Sequence, residues 1–217
     1  MDFYSVLYLA TYLSPLILVA GLIIGGIEFH HLDRVHKILV FYLSFALIID
    51  LLGRYFAKVY GHNLLLIPFF GLTELSCFFM IYRQKVLIGK NLLITIMSGL
   101  TVIFILYEVW ENRLMNTITF QSYSRVLVSF NIILMCIRYF TLKINENVSG
   151  FSSLFSLNTA IFIFYSLNLI VFLPINFLIN ENTELKFYFW LLNLLVTISF
   201  YSFLIRLLWK NGKIQIR

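Results

Sequence analysis

Long apolar runs alternate with short polar clusters along the chain, and the spacing of those clusters predicts seven helices. Phe3 to Ile27, Asn91 to Tyr107, Asn147 to Asn180 and Phe187 to Ile205 carry no Asp, Glu, Lys or Arg. Crossing a bilayer takes roughly 17–25 mostly apolar residues, so each run is matched to one span. The other apolar stretches are shorter between charges, but a turn or a basic cluster closes each at helix length. The predicted spans are Tyr4 to Gly26, Lys37 to Lys58, Leu64 to Tyr82, Asn91 to Trp110, Ser122 to Thr141, Phe151 to Phe172 and Phe187 to Trp209. The stretch from Asn147 to Asn180 is too short for two spans, which need about 40 residues. It is expected to hold one helix, ended by Pro174.

Composition fixes the solvent. At 61% hydrophobic, 18% aromatic and 12% charged, with mean hydropathy +0.92, the 217 residues fall outside the soluble range. The expected fold is an all-α, polytopic transmembrane bundle forming a single helical domain over residues 1–217. No basic flank precedes the first apolar run and no small-residue cleavage site follows it, so it is expected to be a retained span. Cys77 and Cys136 fall inside spans, where thiols behave as small hydrophobes. No CxxC or Cys/His metal spacing occurs, so no metal or cofactor is expected.

Lys and Arg set the orientation. Only Arg54, Lys58, Arg113, Arg125 and Lys186 lie on the side reached by even-numbered spans; the other 11 of the 16 lie opposite. The positive-inside rule then puts the N-terminus outside and the C-terminus in the cytoplasm. Trp190 and Trp209 are separated by about 28 Å of helix, one interfacial ring for each surface. The net charge of +6 is explained by a basic flank meeting anionic lipid headgroups, without nucleic acid binding.

Four charges interrupt the oil. Asp50 and Arg54 lie one turn apart in LIIDLLGRYF, Glu74 lies in GLTELSCF, and Arg125 opens the fifth span in SYSRVL. At 1.5 Å per residue, Asp50 is about 12 Å, Glu74 about 16 Å and Arg125 about 6 Å below the outer surface. A charge at mid-membrane costs about 2.5–3.5 kcal/mol on insertion scales, so these groups are expected to face inward and pair. Two readings follow. One is a polar cavity in the outer half that binds a ligand or ion, or rearranges on protonation; the other is a static network that orders helices.

Asn131, Asn158, Asn168 and Asn193 extend the polar interior and read as interhelical hydrogen-bonding groups. Gly21 and Gly25 form a GxxxG, which permits close helix approach within the bundle or between subunits. His30, His31 and His36, with Asp33 among them, are placed in a basic interfacial loop and not a metal site. GxSxG, HExxH and Gly-rich phosphate loops are missing, spans five to seven hold no histidine of the seven-helix ceramidase kind, and the last span has no retinal-binding lysine. No catalytic constellation is assigned; an intramembrane enzyme would have to use Asp50 or Glu74.

The order of features carries a resemblance. D-x-x-x-R in the second span, GHNLL before the third with its glutamate, TFQSYSRVLVS opening the fifth, an Asn-bearing sixth, and FWLLNLL…LIRLLWK in the seventh resemble a family of multi-spanning Bacteroidota proteins of about this length. Asn63, Glu74, Ser122, Tyr123 and Arg125 match its motifs, while LLLIPFFGLTE departs from the Tyr-rich segment usual there. Members are often encoded beside sensor histidine kinases. The resemblance implies a multi-pass protein of a bacterial inner (cytoplasmic) membrane, a non-enzymatic sensor or accessory, with a membrane histidine kinase as partner. A looser resemblance, to membrane accessory proteins of type VI-B CRISPR systems, implies instead an antiviral defence protein that permeabilises the membrane, as an oligomer, with a defence-system protein as partner. The candidate polar residues are Asp50, Arg54, Glu74, Arg125, Asn63, Ser122, Tyr123, Asn158 and Asn193.

Overall fold

The computed structural model describes residues 10–85, 92–111, 123–145, 153–178 and 185–214, with the side chains at 85, 175–178, 186 and 214 outside that description. Among them the chain forms seven α-helices: α1 Leu13–Ile27, α2 Arg34–Tyr60, α3 Leu66–Lys85, α4 Leu92–Glu111, α5 Tyr123–Asn145, α6 Ser153–Leu178 and α7 Leu185–Ile214. A 3-10 turn, Phe29–His31, joins α1 to α2. Six of the helices are long and apolar enough to cross a membrane, and α1 is a shorter apolar helix. A multi-pass helical membrane protein follows. The residues before position 10, where the first predicted span begins, lie outside the described residues.

Local chemistry sets the ends of α2. Asp33 is extended and its carboxylate accepts the His36 N–H at 2.9 Å, an N-cap. Gly61 ends the helix with φ +77°, a left-handed conformation that costs glycine little. This corrects the placement of His36. It lies in the first turn of α2, buried, its ring Nδ1 paired with Asp33, and not in an open loop. Pro174 is a second correction: α6 runs through it to Leu178. Only one further turn follows the proline, so little of the helix depends on the backbone bond that it cannot donate.

Six helices pack in a closed circle in the order α1, α2, α3, α5, α6, α7, with α7 returning against α1. The fourth helix, α4, lies outside the circle against α3 and α5. Gly21 and Gly25 serve contacts within the bundle. A Cβ on Gly21 would lie 2.8 Å from Ile205 of α7, and one on Gly25 2.8 Å from Val40 of α2. Removing those methyls lets α1 sit tightly between its neighbours.

Aromatic side chains fill the centre of the circle. Tyr42 of α2 lies 5.2 Å from Phe78 of α3 between ring centroids, Phe78 lies 5.4 Å from Tyr165 of α6, and Phe164 stacks on Phe200 of α7 at 4.1 Å. Such pairs add roughly 0.5–1.5 kcal/mol each beyond the area they bury. Their larger consequence here is geometric: phenolic hydroxyls are carried into the middle of an apolar bundle.

Candidate functional site

The four intramembrane charges form two separate pairs. On α2, Arg54 Nε donates to Asp50 Oδ2 at 2.9 Å, one turn away. Arg54 also donates from Nη2 to the Thr11 carbonyl at 2.6 Å and lies over the Tyr12 ring at 4.7 Å, so the pair belongs to the α1–α2 seam. Both side chains stay partly open, Arg54 at 30% and Asp50 at 26% exposure.

The second pair bridges α3 and α5 in the interior. Arg125 Nη1 pairs with Glu74 Oε2, and Arg125 Nη2 donates to Glu74 Oε1 at 3.3 Å, a two-pronged guanidinium–carboxylate contact. The exposures are 0% for Glu74 and 5% for Arg125. Around them the Tyr42 hydroxyl donates to Glu74 Oε1 at 3.3 Å, and Arg125 Nη2 also donates to Asn168 Oδ1 at 3.4 Å. The guanidinium sits 5.2 Å from the Phe70 ring centroid and 5.4 Å from that of Phe172. The Tyr201 hydroxyl lies within hydrogen-bonding range of Tyr42. The Tyr165 hydroxyl, also buried near Arg125, has no hydrogen-bond partner among the described residues. Groups from α2, α3, α5 and α6 thus meet at one ion pair, and Tyr201 of α7 packs against Tyr42 behind it.

Packing differs above and below this centre. Toward the C-terminal end of α7, the inward face of that helix is buried at Tyr201, Leu204 and Leu208. Toward its start, the same face continues through Thr197, Asn193 and Trp190, all half-buried. Phe70 of α3 and Leu47 and Asp50 of α2 are half-buried on the same side. Glu74 and Arg125 therefore lie near the level at which the inward face of α7 passes from buried to half-buried.

Of the other sequence candidates, Asn63 is exposed in the turn between α2 and α3, against Gly53. Tyr123 is exposed at the start of α5, and Ser122 lies outside the described residues. Asn158 belongs to a different cluster, toward the other end of the bundle. It accepts from the Tyr82 hydroxyl at 2.6 Å and donates to the Cys136 carbonyl at 3.4 Å. Asn193 is half-buried on α7. Among the described residues, the structure brings Glu74 and Arg125 together and leaves the other described candidates apart from that pair.

Several polar groups escaped the sequence reading of the site. Tyr42, Tyr165 and Tyr201 look like ordinary membrane aromatics in sequence, and only their position at mid-helix hinted at buried hydroxyls. Glu108 stands in YEVWENR among flanking charges and reads as an interfacial acid, but it is buried. Its carboxylate accepts the Ser124 N–H at 2.7 Å and the Ser124 hydroxyl at 3.0 Å. Asn131 of α5 donates to Thr101 at 3.1 Å and accepts from Ser98 at 3.3 Å, completing a polar seam between α4 and α5. No group of three or more His, Cys, Asp or Glu among the described residues is placed to hold a metal ion.

No family model, curated protein or solved structure matches the chain.

Proposed function

We propose that the protein is a non-enzymatic sensor or accessory of a bacterial cytoplasmic membrane, working through the Glu74–Arg125 centre. The observation that supports this best is the convergence of four helices on a buried ion pair, with a fifth, α7, packed against its Tyr42 partner. A change in that pair would be felt by every helix that touches it, which is how a local charge event biases a bistable bundle. The distribution of Lys and Arg supports an outside N-terminus and a cytoplasmic C-terminus, which puts the centre in the outer half. A membrane histidine kinase is the partner that the sequence resemblance suggests.

The rival roles fit less well. A membrane-permeabilising defence effector would need several copies around a pore or an opening of the bundle, because Tyr42, Phe78, Tyr165 and Phe200 occupy its centre. An intramembrane enzyme that used Asp50 or Glu74 would have to release that acid from the arginine that engages it.

A variant that folds without the charges tests the proposal. Glu74→Gln combined with Arg125→Gln leaves no lone buried charge and should keep membrane yield. Transcript profiles of a deletion strain complemented with this double variant should match the deletion strain and not the wild type. A profile equal to wild type would make the pair scaffold only, and loss of viability with dye uptake on wild-type expression would favour the effector.

A further inference from the structure

Arg125 is the third residue of α5, and the interior pair depends on a side chain rooted in the first turn of a helix. First-turn N–H groups have no carbonyl partner within their own helix, and helix ends fray unless something outside holds them. Glu108 supplies that hold from α4. It is 6% exposed, and each of its two carboxylate oxygens takes one donor of Ser124, Oε2 the backbone N–H at 2.7 Å and Oε1 the hydroxyl at 3.0 Å. A negative charge at the positive end of a helix is favourable in itself. The helix that provides it lies outside the circle and meets α5 through polar contacts at Ser98, Thr101 and Glu108.

We infer that Glu108 is a positioning residue for the Glu74–Arg125 centre, clamping the first turn of α5 and thereby setting where the Arg125 guanidinium sits. The role deepens the sensor reading by naming what holds its cation and how α4 is linked to it, and it rests on that reading only for its consequence in cells. Each carboxylate oxygen holds one donor of Ser124, so Glu108→Leu, which has neither oxygen, should release both arms. Ser124→Ala removes only the hydroxyl arm and should have the smaller effect.

Nitrogen NMR of the full chain in lipid nanodiscs, with arginine side chains labelled, reads Arg125 directly, its signals assigned by their loss in Arg125→Gln. In the wild type the guanidinium nitrogens should be resolved and slow to rotate. Glu108→Leu should speed that rotation at least about tenfold, as expected for loss of hydrogen bonds to a charged group, with Ser124→Ala in between. Unchanged Arg125 signals in both variants would overturn the inference, including when the unfolding temperature falls. Faster rotation in Glu108→Leu with a wild-type transcript profile would confirm the clamp and count against the sensor reading instead.

Discussion

The two arginine–carboxylate pairs have the same chemistry and opposite settings. Asp50 and Arg54 share one helix, keep a quarter or more of their side-chain surface open, and give Arg54 a carbonyl and an aromatic ring as further partners. Glu74 and Arg125 are 51 residues apart in sequence, lie on different helices and are almost wholly buried. Pairs of the first kind contribute little, because their formation is local and the charges keep some access to the surface. Pairs of the second kind are dangerous to break, since removing either partner strands a charge that cannot reach water. The sign of an ion pair says little about its role; its span and burial decide it.

Breaking the interior pair should have the largest effect. Glu74→Ala leaves the guanidinium between Phe70 and Phe172 without a counterion, and a cost of about 3–5 kcal/mol is expected in reversible unfolding from mixed micelles. Next comes the seam that holds α1. Gly25→Ala puts a methyl 2.8 Å from Val40 and should cost about 1–3 kcal/mol in the same assay, as overpacking does. Asp50→Asn, on that same seam, should cost less than about 1 kcal/mol, because Arg54 keeps Thr11 and Tyr12. If Asp50→Asn proved more damaging than Gly25→Ala, electrostatics and not close packing would hold α1. The smallest effect belongs to the polar seam outside the circle: Ser98→Ala removes the one hydrogen bond to Asn131 and should cost about 0.6 kcal/mol.

Seven helices were legible because charge-free runs and basic clusters are local signals, readable one segment at a time. The inward placement of Glu74 and Arg125 was legible too, since lipid penalises any other arrangement. Their pairing with each other was not. Depth alone does not choose partners among the four charges, and Arg54 turns toward α1 while Glu74 turns toward α5. Glu108 was missed because three residues separate it from the end of α4, where an acid normally faces water. Pro174 was read as a helix end because sequence reports the missing N–H but not whether one more turn can form beyond it.

A double-mutant cycle between Glu74 and Arg125, read by reversible unfolding of Glu74→Gln, Arg125→Gln and the combined variant, measures how far the two residues depend on each other. Strong dependence, a coupling of about 2–3 kcal/mol with the double variant more stable than either single one, is predicted for a buried interhelical pair. Additive losses, with coupling inside the roughly 0.5 kcal/mol seen for independent sites, would contradict it.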